Sequence, residues 1–100
     1  MERLRGAIIG CGMIAEYHLR GWLRIPEVEI VALCDPDCTR AAARGKEFVP
    51  AARLYDSLDG LLAAEALDFV EILTPPWLHR EHCRRAADAG MSQSVCNRSL

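Results

Sequence analysis

The residues of this chain best suited to chemistry are the run Gly10-Cys11-Gly12-Met13-Ile14-Ala15 and, further along, Asp35. Gly10 closes the apolar run Ala7-Ile8-Ile9, and Asp35 closes Val31-Ala32-Leu33-Cys34. Strand, glycine turn, helix, strand and then an acid about 20 residues on is the order of a dinucleotide-binding unit. Each part has a physical task. The first glycine permits a tight turn. The second, Gly12, lets backbone N–H groups approach a pyrophosphate, and the small Ala15 lets helix and strand pack closely. The amides of Met13 and Ile14 would face the phosphates, aided by the helix dipole. The Asp35 carboxylate would accept hydrogen bonds from ribose hydroxyls. A bare G-x-G-x-x-A is a weak signal, and the flanking strand and the spaced acid give it weight. Asp35 could instead cap the next helix, but Asp37 is better placed for that. An acid at position 35 repels a 2′-phosphate, so NAD is expected over NADP. Arg40 nearby leaves NADP open.

Those residues need elements to hold them. Leu4 to Ile9 reads as a strand, and Met13 to about Arg24 as a helix with Ile14, Tyr17, His18 and Trp22 near helical spacing. Tyr17 and Trp22 are expected in the core or an interface, and His18 in packing. Val28 to Cys34 has the Val/Ile/Leu character of a buried parallel strand. Asp37 is the expected N-cap of an alanine-rich helix over Thr39 to Glu47. A short strand near Arg53-Leu54-Tyr55 follows, then a helix from Asp56-Ser57 to about Glu65. Phe69 to Leu73 is a strand broken by Thr74-Pro75-Pro76. Trp77 to Ala89 is a helix with Gly90 at C′. Glu71, inside an apolar strand, must lie at an exposed edge or be paired. This alternation predicts an α/β, Rossmann-like, doubly wound parallel sheet with helices on both faces. Ligands of such sheets bind beyond the strand C-terminal ends, where Gly10, Asp35 and Thr74 all fall.

The totals narrow the partners. One hundred residues is a single-domain length, and 51% apolar content supports a core. A net charge of −2 with scattered Lys and Arg argues against nucleic acid or an anionic membrane. No apolar run approaches the roughly 18 residues of a membrane span, and glycines cut the N-terminal stretch too short for a signal peptide. Five cysteines without a C-x-x-C pair fit reduced thiols and a cytoplasmic location. No metal site is expected from Cys34 and Cys38 or from His79 and His82, since further ligands are lacking.

Beyond the glycine turn, further segments carry a resemblance. They are Ile8 to Ala15, His18, Val31 to Asp37, Tyr55-Asp56-Ser57-Leu58, Asp68 to Pro76, and His79. Together they resemble the N-terminal NAD(P)-binding domain of the Gfo/Idh/MocA oxidoreductases, the glucose–fructose oxidoreductase and inositol dehydrogenase family. The match runs without a gap from about residue 4 to 90. The family implies NAD or NADP binding and hydride transfer at a carbinol carbon of a sugar, inositol or related polyol. It implies a cofactor-lining role for Thr74 and Pro75, and, through the Thr-Pro-Pro-x-x-His pattern, a cofactor-pocket contact for His79. It also implies a second, larger domain that supplies substrate contacts and a homo-oligomer interface. This chain is expected to be an N-terminal piece lacking that domain.

The resemblance breaks after Gly90. The family continues through a buried strand into Glu-Lys-Pro, whose lysine takes part in proton transfer. Here Met91 to Leu100 carries Ser92-Gln93-Ser94 where an apolar strand is expected, and Asn97-Arg98-Ser99 at the motif. Arg98 keeps the charge, but a pKa above about 12 makes it a poor proton shuttle. No catalytic residue is therefore assigned. Residues 1–90 are read as the dinucleotide domain, incomplete at its C-terminal end. Residues 91–100 are read as an atypical tail from a frame shift, altered splice or early stop. The expected function is the cofactor half of an NAD(P)-dependent oxidoreductase with little turnover by itself. The rival readings are a non-catalytic nucleotide-binding or sensor module and an inactive remnant.

Overall fold

The strands are set by short β-branched and aliphatic runs, and the helices by runs of helix-favouring residues, two of which begin at a side-chain cap. A computed structural model of the chain describes residues 3–90 and the backbone of 95–96. Among the described residues five strands form: β1 (Leu4–Ile9), β2 (Val28–Cys34), β3 (Arg53–Tyr55), β4 (Phe69–Ile72) and the two-residue β5 (Val95–Cys96). All pair in parallel, in the order β3-β2-β1-β4-β5. This is the Rossmann order, in which the chain reverses direction across the sheet between β1 and β4. Met91 to Ser94 and Asn97 to Leu100, with the Glu-Lys-Pro position, lie outside the described residues.

Register levels the strand ends. Ile9 pairs with Cys34 on one side and Ile72 on the other, and Cys34 pairs with Tyr55. Backbone bonds extend the ladder just past those ends, from Gly10 N–H to the Cys34 carbonyl (2.8 Å) and from Leu73 N–H to the Ile9 carbonyl (2.7 Å). The glycine turn, the acid after β2 and the Thr-Pro segment after β4 therefore come side by side.

Four helices connect the strands: α1 (Met13–Trp22), α2 (Cys38–Phe48), α3 (Leu58–Ala64) and α4 (Pro76–Asp88). The expected boundaries hold to within two residues. Asp37 and Ser57 cap α2 and α3 through side-chain oxygens. Pro76 opens α4, where a missing N–H costs nothing, and Gly90 follows it at φ +87°.

Two cores sandwich the sheet. Ala7, Ile9, Val70 and Ile72 face Leu58, Leu61 and Ala86. Ile8, Phe69 and Leu73 face Ala15, Leu19 and Ala41. Gly6 leaves room for the Phe69 ring, which a Cβ there would overlap. Trp22 stacks on Phe69 at 4.9 Å between ring centroids. Tyr17, expected in the core or an interface, is 78% exposed, because its place on α1 faces away from the sheet.

Glu71 is resolved as paired. It is buried on the α1 face, accepts from Trp22 Nε1 (2.8 Å), and lies 3.1 Å from His18 Nδ1. A carboxylate in an apolar strand is tolerated because both oxygens find partners one helical turn apart. Cys11, Cys34 and Cys38 are free thiols, but Cys83 is disulfide-bonded, which corrects the expectation of five reduced cysteines. Among the described residues no helix is long and apolar enough to cross a membrane.

Candidate functional site

The β1–α1 turn needs glycine at its first position for two reasons. Gly10 has φ +99°, a region L side chains avoid, and a Cβ there would sit 3.0–3.2 Å from the Leu73 and Thr74 backbone. Gly12 differs. Its backbone is extended and a Cβ would meet no atom within 4 Å, so the space around it is open. Gly12 is also the N-cap of α1, and no side chain caps that helix. The orphan amides of its first turn, Met13 and Ile14 among them, thus receive no side-chain cap. An open cradle before an uncapped ten-residue helix suits a diphosphate.

Asp35 holds this turn in place. It is 5% exposed, and its Oδ2 accepts from Cys11 N–H and its Oδ1 from Asp37 N–H, each at 2.8 Å. One carboxylate thereby joins the β1–α1 turn to the β2–α2 turn. Two bonds use about half of its four or so lone-pair sites, which leaves acceptor capacity for another donor. Burial, and next the Asp35 charge, push the Cys11 and Cys34 thiols up to about 12. Both remain protonated packing residues, as small buried cysteines generally are.

Cys11, Gly12 and Met13 share a cleft of about 370 Å³ with Arg40, Ala43 and Arg44 of α2. Arg40 lies 3.6 Å from Asp37, and Arg44 lies 3.5 Å from Glu16 and 3.9 Å from Glu47. The open side of the turn is thus flanked by two guanidinium groups. Spacing along the sequence singled out Arg40 but not Arg44, which reaches the cleft one helical turn later.

On the other side of β1, Thr74 is buried where β4 ends, and Pro75 is the exposed residue before α4. The Thr74 hydroxyl pairs with His82 Nδ1 at 2.9 Å. His79, singled out from sequence, is half-buried one turn earlier, and its backbone N–H donates to the Pro75 carbonyl at 3.0 Å. The structure therefore gathers Gly10, Gly12, Met13, Ile14, Asp35 and Thr74 at one end of the sheet. At Thr74 it adds His82, three residues beyond His79. Burial foremost, and then Arg85, hold the His82 pKa below the ordinary histidine value.

The fold agrees with what known proteins show. The family model described as the oxidoreductase family with an NAD-binding Rossmann fold, GFO_IDH_MocA, matches residues 4–97. The chain belongs to this family. Its match runs seven residues past Gly90. The chain is 43% identical over 98 residues to D-apiose dehydrogenase from Paraburkholderia graminis, covering 98% of this chain and 26% of that protein. It is 33% identical over 88 residues to D-glucoside 3-dehydrogenase from Escherichia coli, covering 87% and 25%. Among solved structures, an oxidoreductase from Agrobacterium radiobacter in complex with NAD+, L-tartaric acid and magnesium superposes with a TM-score of 0.87 at 33% identity. That match covers 94% of this chain and 27% of the other. A myo-inositol dehydrogenase from Corynebacterium glutamicum gives 0.81 at 26% identity, covering 91% and 27%. The chain spans about a quarter of the length of the curated relatives it matches. Within the Gfo/Idh/MocA family, it corresponds to the NAD-binding Rossmann part.

Proposed function

We propose that this chain is the cofactor half of an oxidoreductase that acts on a CH–OH carbon of a sugar, inositol or similar polyol, with NAD preferred over NADP. The observation that carries the reading is the β1–α1 turn. Gly10 bends it, α1 is left uncapped, and a buried carboxylate locks it to the neighbouring turn. In this reading the Met13 and Ile14 amides hold the diphosphate, with Gly12 leaving it room. Asp35 uses its remaining lone pairs for the adenosine ribose hydroxyls, and its charge opposes a 2′-phosphate. Thr74, Pro75 and His79 line the half of the crevice beyond β4. When bound, NAD supplies the hydride chemistry, and the chain's own residues orient it.

The names of the relatives support the substrate class, since they act on apiose, glucosides and inositols. Residues 1–90 form the dinucleotide unit in this proposal. Substrate contacts and a homo-oligomer interface belong to the three quarters of such proteins that this chain does not match, and the family's proton-transfer lysine has its place here at Arg98. The 100 residues by themselves are expected to turn over little or no substrate. A cytoplasmic setting is part of the same reading; the free thiols Cys11, Cys34 and Cys38 agree with it and the Cys83 disulfide runs against it.

Titration with NADH, followed by nicotinamide fluorescence, tests this in the native chain and in Gly12→Asp. The new carboxylate has room and would itself cap α1, so the melting temperature should hold or rise slightly. NADH affinity should fall at least tenfold, about 1.4 kcal/mol, because the cap occupies the amides and repels phosphate. Unchanged NADH binding by folded Gly12→Asp, or none by the native chain, overturns the proposal.

A further inference from the structure

We propose that His82 is a positioning residue that decides whether the Thr74 hydroxyl faces the crevice as a hydrogen-bond acceptor or as a donor, and so tunes recognition of the amide-bearing half of a dinucleotide. The inference rests on the dinucleotide reading above and extends it to a side chain no motif includes. Thr74 is the first residue past the Leu73 backbone that crowds Gly10, so it stands at the edge of the same crevice. Its hydroxyl carries one proton and two lone pairs, and His82 Nδ1 is 2.9 Å away. A neutral imidazole with its proton on Nε2 presents a bare Nδ1. It then takes the Thr74 proton as a hydrogen bond and leaves the Oγ1 lone pairs for the crevice. A doubly protonated ring donates from Nδ1 instead, which frees the Thr74 proton to turn outward. One protonation therefore reverses the polarity of a hydroxyl that does not itself titrate.

The surroundings favour the neutral ring. The charged and titratable groups that face His82 are Arg85, Glu81 and His79 on α4 and Asp59 on α3. Arg85 occupies both acids, at 2.8 Å from Asp59 and 3.2 Å from Glu81, so neither is committed to the imidazole. Burial and the Arg85 charge lower the His82 pKa, which favours the neutral ring, and in the proposal that ring carries its proton on Nε2 and leaves Thr74 an acceptor toward the crevice. The complementary ligand group is an N–H donor, such as the carboxamide of a nicotinamide. ADP-ribose lacks the nicotinamide and its carboxamide.

The test measures NAD+ and ADP-ribose binding by calorimetry from pH 7.5 to 5 in the native chain, His82→Leu and His82→Asn, with 15N NMR of the native His82 ring. His82→Leu should weaken NAD+ roughly three- to tenfold and leave ADP-ribose unchanged. NAD+ affinity of the native chain should fall on the acid side of the His82 pKa. His82→Asn, which keeps a polar atom near Nδ1 but does not titrate, should show no such fall. The ring nitrogens should report an unprotonated Nδ1 at neutral pH. Equal NAD+ affinity and equal pH profiles in all three proteins, or a protonated Nδ1 at pH 7.5, overturns the inference. Should His82→Leu fail to fold, His82→Asn and the NMR spectrum still decide. A native chain that binds neither ligand removes the dinucleotide reading and this role with it. ADP-ribose binding with a His82-independent NAD+ affinity removes this role alone.

Discussion

The β1–α1 and β2–α2 turns leave adjacent parallel strands at the same end of the sheet, yet they finish differently. At the start of α2, Asp37 closes the helix from within: its carboxylate accepts from Thr39 N–H at 2.9 Å. That bond, above all, holds the Asp37 carboxyl below the usual carboxylate range. At the start of α1 no side chain does this, and the residue in the cap position is Gly12. The open turn is held from outside, by the Asp35 carboxylate on Cys11 N–H. A sealed helix end contributes stability. An open one gives up that contribution and keeps its amides for a ligand, and the support it needs comes from the neighbouring turn.

The largest expected effect comes from removing that shared support. Asp35→Ala orphans the buried Cys11 N–H and removes the part-buried bond to the Asp37 N–H, so we expect a loss of roughly 2 kcal/mol by urea unfolding together with loss of NADH binding. Native stability in this variant would break the idea that one carboxylate serves both turns. The next effect uses an ion pair whose side chains belong to neither turn as a contrast. At the β3 edge, the buried Glu65 carboxylate accepts from Arg53 and from the Tyr55 hydroxyl, with Arg5 at 3.5 Å. The Arg53 hydrogen bond leads in holding its pKa down to about 2. A folded-state pKa below the unfolded value means that this stabilisation is complete above about pH 4.5 and is lost as pH falls toward 2. The urea midpoint of the native chain should drop across that window, and Glu65→Gln should flatten that part of the profile. A profile that Glu65→Gln leaves unaltered would show that the edge contributes nothing. The smallest effect should come from Asp37→Ala, which uncaps α2. It should lower the melting temperature by a few degrees and leave NADH affinity within twofold. An equal loss of binding would erase the distinction between the sealed and the open turn.

Some of this was legible along the chain. The alternation of Ala7-Ile8-Ile9, the α1 residues and Val31 to Cys34 reports strand and helix because side-chain periodicity is a local property. Gly10 was legible as a turn residue, and its φ of +99° supplies the reason. Asp37 was legible as a cap, and Asp56-Ser57 as a helix start that Ser57 caps, since a cap is decided within three residues of its helix. Glu71 was visible only as an anomaly. Its partners His18 and Trp22 come from a different element, and no spacing rule relates position 71 to 18 and 22. Glu65 gave no signal at all, because Arg53 and Arg5 reach it from two different strands. His79 stood out by its pattern, but His82 is the ring that reaches Thr74.

The amino-acid order by itself determined the elements, the glycine bend and the acid placed after the second strand. Each depends on backbone preferences and periodicities that act over a few residues. Only the tertiary structure decided that Asp35 bonds to the turn it faces, that Glu71 is paired under α1, and that Thr74 meets His82. Those choices depend on strand register and helix packing. Register brings Ile9 level with Cys34 and Ile72, and the hydrogen bonds of every side chain beyond those ends follow from which neighbours that alignment delivers.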